Sequence, residues 1–589
     1  MKQVRIKFAI AVAPLFSSLL LAHAVAQTQT VDHSLLTHHY QIQIKLDFDA
    51  RSYTGSEIVR WVNRDDHSAS VIYFHLYSNL RAADNAPSSS APSTFHEDDE
   101  PRIEITEVRS APGGPALNYS LEEQSTVLRV NLREPAAAGA STQIFIGFKG
   151  SVPEIDAEET GLTTHVVKQV SAALRAEREV RRARDLNFRC RGVMLLGTSY
   201  PVLAVHDGDD WQRKIDPGIG DLIFNEVADY DASIKAAPGI AVFTSGSEAE
   251  SESPAEVAFS GKALRDFAIL ASPNLRFDQT EVSDVTLRSI FLPEHERIGK
   301  RVLANAGDAL RIFQSRFGPL PLKTISIAEA PLVAGLGSTE FAGMDVIASA
   351  FYVDFDAPSV RNLPEIIREQ RPAVEQSLEW SVAHLISHQW WGGVVGNNPE
   401  RQPVLDESVA SWSALLYFRE LYGEQKAAAV LEDQLRGVYR LYRTFGGADM
   451  DADRPSRDYQ NTFQYSAVVT AKGALMFVQL QNMLGEQKLL TALRNYYKAN
   501  QGEIAELDDL RGAIMAETPV EQRRTMARTF TRWLSSKHGD EDISGPDQEL
   551  ANSLGLPAKA NAQRGNDRNA LSAFARVGKF FWQQMTRIR

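Results

Sequence analysis

The chain of 589 residues is longer than one hydrophobic core can serve, because cores stop growing near roughly 250–300 residues, so we expect two or three domains. Its composition, 43% hydrophobic and 23% charged, is that of a globular protein and excludes a disordered or membrane-embedded chain. The net charge of −13 argues against nucleic acid as a partner, and the single cysteine, Cys190, excludes an intrachain disulfide and a thiol-ligated zinc site.

Residues 1–26 have the pattern of a secretory signal peptide. Basic residues come first, and an apolar run from Phe8 to Leu21 and the small-residue sequence Ala-His-Ala-Val-Ala follow. No later apolar run approaches the roughly 20 residues that a membrane-spanning helix needs. We therefore expect an exported protein, periplasmic or extracellular, that is soluble once the signal peptide is removed.

Residues 27–275 are predicted to form an N-terminal β-domain. Apolar and polar residues alternate over short runs, as from Tyr40 to Phe48, and Gly, Pro and Ser clusters separate the runs, which indicates half-buried antiparallel strands. Two segments interrupt this pattern. Residues 82–101 are a polar, Pro- and Ser-rich acidic loop, and residues 166–184 are a charged insert with helical spacing, which favours a solvated surface helix over a binding arm.

From about residue 290 the apolar period changes to 3.6, which predicts a second, mostly helical domain over 276–545. The predicted elements are helices at 296–317, 375–395, 407–423, 466–484 and 487–499, and short strands at 324–328 and 345–349. Residues 546–589 are predicted to be a linker and a basic amphipathic C-terminal helix. Its residues 571–589 suit an anionic membrane surface, a groove on another protein, or the acidic domain of the same chain.

The sequence His-Leu-Ile-Ser-His-Gln-Trp-Trp-Gly begins at His384 and predicts a metal site. His384 and His388 are four residues apart on a predicted helix, so both imidazoles lie on one face and can bind one ion. Catalytic zinc has three protein ligands and water, and Glu407, which follows His388 after 18 intervening residues on the next predicted helix, is the candidate third ligand. Two such histidines alone are more often hydrogen-bonded core residues, but the Trp-Trp-Gly sequence and the spaced acid favour zinc.

These features resemble the membrane alanyl aminopeptidases, a family of gluzincin zinc metallopeptidases with the signature H-E-x-x-H, 18 residues, then E. The resemblance covers about residues 38–540 and includes the stretches 199–204 and 261–268. It implies a saddle-like or sandwich-like antiparallel β-domain, then a thermolysin-like α/β domain that is mostly helical, with the active site between them. It also implies one zinc ion bound by His384, His388 and Glu407.

Two catalytic positions depart from the family pattern, so the chain resembles a degenerate member. Active members have a Glu after the first histidine as general base, a group worth about 10²–10⁴ in rate, and the residue here is Leu385. The Tyr that stabilises the oxyanion corresponds to Thr470, and loss of such a donor costs about 10²–10³. Tyr465 corresponds to a different, non-catalytic position, and Glu379 is expected on another side of the helix from His384.

The resemblance also implies substrate-binding residues. The family motif G-x-M-E-N, whose Glu binds the free amino terminus of a peptide, corresponds to residues 337–341, so Gly337 and Glu340 are the candidates; a surface carboxylate in a glycine turn is the alternative for Glu340. We therefore predict a zinc-binding aminopeptidase-like protein that recognises peptide or protein amino termini, with peptidase activity lost or strongly reduced. The alternatives are an active aminopeptidase that uses zinc-activated water without the usual base, and a metal-free scaffold that binds a partner.

Overall fold

The computed structural model describes residues 37–81, 99–174, 178–207, 210–216, 218–251, 253, 255–362, 365–369 and 371–554. The predicted signal peptide, most of the acidic loop at 82–101 and the predicted helix at 571–589 lie outside these residues. The described residues belong to one compact unit. None of the helices within these ranges is both long enough and apolar enough to cross a membrane.

The N-terminal part of the chain is built from strands. Their bounds are β1 His38–Asp47, β2 Ser52–Val62, β3 Ala69–His75, β4 Arg102–Arg109, β5 Tyr119–Glu122, β6 Val127–Ala136, β7 Ser141–Ser151, β8 Asn187–Cys190, β9 Val193–Leu196, β10 Val202–Leu203, β11 His206–Asp207, β12 Asp210–Trp211, β13 Ala228–Lys235, β14 Ala241–Thr244, β15 Ser247–Ala249, β16 Val257–Leu264 and β17 Ile269–Ser272. They form sheets in the orders β15-β16-β13-β1-β2-β7-β4, β10-β3-β6-β5, β14-β17-β9-β8 and β11-β12.

The alternation of side chains along β1 shows why this region forms sheets. Tyr40, Ile42, Ile44 and Leu46 are buried, while the residues between them are exposed. One face of the strand therefore packs into the core and the other contacts solvent, as a period of two requires. The predicted β-rich N-terminal region is confirmed; within its seven-stranded sheet, the β1 and β13 pair is parallel and the other pairs are antiparallel.

A fifth, mixed sheet follows in the described residues and carries part of the candidate site on its edge. Its strands are β18 Arg276–Val282, β19 Val285–Phe291, β20 Thr324–Ala330, β21 Ser338–Phe341 and β22 Met344–Ala348, in the order β18-β19-β20-β22-β21. The short edge strand β21 pairs antiparallel with β22 and places Glu340 opposite Asp345.

The remainder is helical. The helices are α1 Leu162–Leu174, α2 Glu296–Phe317, α3 Glu365–Arg368, α4 Arg371–His388, α5 Val404–Tyr422, α6 Glu424–Val430, α7 Gly437–Thr444, α8 Thr462–Tyr465, α9 Gly473–Leu484, α10 Glu486–Ala499, α11 Leu507–Glu517, α12 Arg523–Leu534, α13 Gly539–Asp542 and α14 Gln548–Leu554. Two π-helical segments, Leu431–Arg436 and Ser466–Lys472, connect α6 to α7 and α8 to α9. The predicted helical C-terminal part is thus confirmed.

Two predicted helices have different bounds in the structure. The helix predicted over 375–395 ends at His388, because a turn follows in which Gly392 has a φ of +101° that favours glycine. The helix predicted over 166–184 spans only Leu162–Leu174, and the described residues 178–182 have no regular secondary structure. Arg178 and Glu179 hydrogen-bond to residues 457–462, Arg181 donates to the Gly220 carbonyl oxygen, and Arg182 donates to Glu100.

Candidate metal centre and cleft

Helix α4 presents two histidines to one point. His384 and His388 are one helical turn apart, and their Nε2 atoms lie 2.8 Å from each other. Both side chains are almost completely buried. Their other ring nitrogens are occupied: His388 Nδ1 donates to the Trp391 carbonyl oxygen at 3.0 Å, and His384 Nδ1 lies 3.2 Å from Ser411 Oγ. These contacts orient both rings with Nε2 towards the common point.

Glu407 completes a group of three. It lies in the first turn of α5, and its Oε2 atom is 3.5 Å from His384 Nε2 and 4.0 Å from His388 Nε2. One ligand atom from each of the three residues lies within 4.8 Å of the others. The structure therefore brings together the three residues that the sequence suggests as metal ligands.

The three residues fit a zinc ion. Two imidazole nitrogens and one carboxylate oxygen are a donor set of catalytic zinc sites. Glu407 Oε2 is buried and accepts no hydrogen bond from any described residue, and such an atom costs free energy unless a cation or donor satisfies it. An ion between the three side chains would satisfy this oxygen and separate the two Nε2 atoms.

Glu340 approaches the same point from the edge strand β21. Its Oε1 atom lies 3.8 Å from His388 Nε2. The preceding Gly337 is positioned by its carbonyl oxygen, which accepts a hydrogen bond from the Ala348 amide at 2.9 Å. A carboxylate at this distance from the histidines can bind a cationic group next to a metal ion, which is the role expected for Glu340.

Asp221 is a further site residue that sequence reasoning missed. One oxygen of Asp221 lies within 4.8 Å of oxygens of Glu340 and Glu407, and the Asp221 and Glu340 side chains share a hydrogen bond. Burial, and then the negative charge of Glu340, raise the pKa of Asp221 well above its usual value. Two carboxyl groups and the two histidines of the candidate metal site thus face one small volume.

The local sequence around Asp221 explains its position. Gly220 has a φ of +99°, and a Cβ atom there would lie 2.7 Å from the Tyr465 hydroxyl oxygen, so only glycine lets the chain pass this ring. Tyr465 in turn donates to Glu407 Oε1 over a long 3.5 Å. The Gly-Ile-Gly-Asp sequence at 218–221 is the one signal that could have pointed to Asp221.

The two positions that depart from the family pattern are both buried. Leu385 packs in the hydrophobic core, and Thr470 lies in the π-helical segment Ser466–Lys472. Glu379 accepts hydrogen bonds from Tyr417 and Tyr422 and is thereby held away from the histidines, as its spacing predicts.

The cleft itself is open to solvent and is lined by residues of both the β-rich region and the helical region. Buried Arg265 holds its base together, because the guanidinium donates to the carbonyl oxygens of Asn225, Gly393 and Glu503. Arg265 thus links the β-rich region to the helical region at the cleft.

Comparisons with known proteins agree on one family. Residues 367–533 match the Peptidase family M1 domain. Curated relatives include Aminopeptidase M1-B of Oryza sativa subsp. japonica, 24% identical over 243 residues, and Aminopeptidase 2 of Candida albicans, 21% identical over 244 residues. These matches cover 40% and 41% of this chain and 25% of each relative, so the chain matches about a quarter of their length.

Solved structures share the fold. The M1 zinc metallopeptidase of Deinococcus radiodurans has a TM-score of 0.53 at 14% identity, over 85% of this chain and 93% of the other. A mutant of that protein bound to a Tyr-Ser-Ala substrate has a TM-score of 0.52 at 15% identity, over 85% and 93%. Residues 367–533 thus carry the match to the Peptidase family M1 domain, and the chain shares the fold of the M1 zinc metallopeptidase structures.

Proposed function

We propose that the chain is a zinc-binding, aminopeptidase-like protein that recognises the free amino termini of peptides and hydrolyses them slowly or not at all. The observation that carries this proposal is the contrast within α4. His384 and His388 converge with Glu407 on one point, while Leu385, between them, is an aliphatic side chain in the core.

His384, His388 and Glu407 would hold the zinc ion. Zinc bound there would act as a Lewis acid towards a peptide carbonyl and would acidify water. Leu385 has no atom that can accept the proton of the attacking water, and Thr470 has a hydroxyl too short to replace a tyrosine. The chain's own side chains therefore support binding better than catalysis.

Recognition of the amino terminus rests on Asp221 and Glu340. An α-ammonium group between them would donate a charge-assisted hydrogen bond to each of the two carboxylates. A free amino terminus also brings the first carbonyl of a peptide near the histidines. An acetylated amino terminus has no charge and would leave both carboxyl groups without their counterion.

Binding measurements test this function directly. Titration calorimetry of the zinc-loaded protein with Ala-Ala-Ala and its N-acetyl form should show at least about 10-fold weaker binding after acetylation, since hydrogen bonds to charged groups contribute about 1.5–3 kcal/mol. Asp221→Asn and Glu340→Gln should each reduce this selectivity. The control Glu134→Gln, an exposed carboxylate on β6, should not. Equal affinity for both peptides would refute amino-terminal recognition.

A second candidate is a working aminopeptidase in which Asp221 or Glu340 accepts the proton that Leu385 cannot. The observation in its favour is the placement of both carboxyl groups at the metal centre. It predicts chelator-sensitive turnover that Asp221→Asn or Glu340→Gln abolishes. A third candidate, the metal-free scaffold, predicts less than about 0.2 zinc per chain after refolding with excess metal.

We also propose that the protein is exported and that residues 1–26 are removed. This part of the proposal rests on the N-terminal sequence alone. Amino-terminal sequencing of the protein from a secreting host should find a start after Ala24 or Ala26; an intact Met1 in the cytosolic fraction would contradict export.

A further inference from the structure

Residues 178–182 form a strap across the cleft. The Glu179 amide donates to the Gln460 carbonyl oxygen at 2.7 Å, and its carboxylate accepts from the amide and hydroxyl of Thr462. Arg178 donates to the Arg457 carbonyl oxygen at 3.0 Å. These contacts fix the strap, part of the charged insert, to the helical region, so it is a wall of the cleft and not a solvated helix.

The strap carries a guanidinium group into the cleft. Arg181 lines the cleft, and its Nε atom donates to the Gly220 carbonyl oxygen at 3.2 Å. Its two terminal nitrogens have no hydrogen bond or ion pair with any residue in the described part of the chain. They form a planar pair of donors that matches the two oxygens of a carboxylate.

The position of this group relative to Asp221 limits the ligand. Gly220, which holds Arg181, is bonded directly to Asp221, so standard bond lengths keep the guanidinium within roughly 10 Å of the Asp221 carboxyl. An extended peptide spans about 3.3–3.6 Å per residue. A ligand with its ammonium at Asp221 and Glu340 would therefore bring an extended C-terminal carboxylate to Arg181 only if it has at most about three residues.

We infer that Arg181 binds the C-terminal carboxylate of short peptides, so that dipeptides and tripeptides with both ends free are the preferred ligands. This inference rests on the proposed function, because it takes the amino terminus to lie at Asp221 and Glu340. Asp221 and Glu340 bind the ammonium group, and Arg181 binds the carboxylate. The distance between these two sites limits the length of the peptide that can contact both.

Four ligands, each tested on the full-length, zinc-loaded protein, show whether Arg181 binds a C-terminal carboxylate, an acidic side chain or neither. They are Ala-Ala-Ala, its C-terminal amide, its N-acetyl form and the amide of Ala-Glu-Ala, each measured by titration calorimetry. Amidation of Ala-Ala-Ala should weaken binding about 10- to 100-fold, because a hydrogen-bonded charge pair is lost. Unchanged affinity after amidation would overturn the inference.

The amide of Ala-Glu-Ala identifies the source of the carboxylate. It should bind as weakly as the amide of Ala-Ala-Ala. If its glutamate side chain restores the affinity, Arg181 binds an acidic side chain, and the inference that it binds the C-terminal carboxylate is wrong. The N-acetyl peptide tests the proposed function separately: insensitivity to acetylation with sensitivity to amidation would refute the amine site and leave the carboxylate site.

Variants connect the effect to Arg181. Arg181→Gln should reduce the penalty of amidation to less than about 3-fold, and Arg181→Lys, which keeps the charge but not the planar pair of donors, should give an intermediate penalty. Arg178→Gln is the matched control, because Arg178 lies on the same strap and contacts Arg457 instead of the cleft. A full amidation penalty in Arg181→Gln, with the melting temperature of the wild type, would overturn the inference.

Discussion

The two walls of the cleft differ in what they supply. The helical wall, formed by α4 and α5, brings together the candidate zinc ligands His384, His388 and Glu407 and has no proton acceptor at Leu385. The loop wall, formed by the strap at 178–182, residues 220–221 and β21, carries the charged groups that we propose bind the ends of a peptide. Under the proposed function, metal binding and ligand recognition therefore remain in a peptidase fold whose catalytic base is missing.

The largest expected effect is on zinc content, which should depend on the helical wall and not on the loop wall. His384→Ala removes one of the three protein ligands, so zinc should fall from about one ion per chain to below about 0.1 after dialysis, measured by mass spectrometry of the metal. Since even a lost outer contact costs about 10–100-fold in affinity, a lost ligand should cost at least as much.

Asp221→Asn is the matched control for that variant. It changes the loop wall only, and zinc content should stay near one ion per chain. If Asp221→Asn loses zinc as completely as His384→Ala, the loop wall is part of the metal centre and the comparison fails.

The orientation of the histidines gives the next effect. Ser411 Oγ lies 3.2 Å from His384 Nδ1, so Ser411→Ala should weaken zinc affinity about 10- to 100-fold in competition with a chelating dye. Ser413→Ala is the control: this serine is equally buried on α5, and its hydroxyl contacts the Val409 carbonyl and the Trp391 indole instead. An equal loss in both variants would mean that the packing of α5, and not the orientation of the ring, sets the affinity.

A buried histidine away from both walls, His75, should make the free energy of unfolding depend on pH. Burial lowers the pKa of His75 on β3 to about 4, although its Nε2 donates to the Gln212 carbonyl oxygen at 2.7 Å. The unfolded chain binds this proton near pH 6.5 and the folded chain does not, so the stability that His75 contributes is present above pH 6.5 and is lost as the pH falls towards 4.

From pH 7 to pH 5 this group should lower the free energy of unfolding by about 2 kcal/mol. Urea unfolding at both pH values measures the change, and His75→Gln should reduce it by that amount relative to the wild type. His165, whose pKa burial also lowers to about 4, accounts for a similar part that remains in the variant. An unchanged pH dependence in His75→Gln would show that His75 titrates normally.

The helical wall could be predicted from the sequence because an α-helix places side chains at a regular period that the sequence shows. The apolar period gave the bounds of α2 as 296–317, which agree with the structure, and the four-residue spacing placed His384 and His388 together. Glu407 required more than periodicity, since its approach to the histidines depends on how α5 packs against α4. The resemblance to a known family supplied that contact.

The loop wall could not be predicted in this way. Asp221 lies in an aperiodic segment, and its contact with Glu340 joins residues 119 positions apart through tertiary structure alone. The helical spacing of Ala, Arg and Glu at 166–184 predicted one helix, but the helix ends at Leu174, and residues 178 and 179 hydrogen-bond to residues 457–462 instead. Local propensity is overridden where long-range contacts satisfy the backbone.

The most direct test of the account is the hydrolysis of alanyl-arylamide by the zinc-loaded wild type and by the double variant Leu385→Glu with Thr470→Tyr, with folding verified by melting temperature. We predict turnover near the background for the wild type and an increase of at least about 10²-fold in the double variant, because a general base alone contributes about 10²–10⁴. Rapid wild-type turnover that a chelator abolishes and zinc restores would contradict the account, and the loop wall would then contain the missing base.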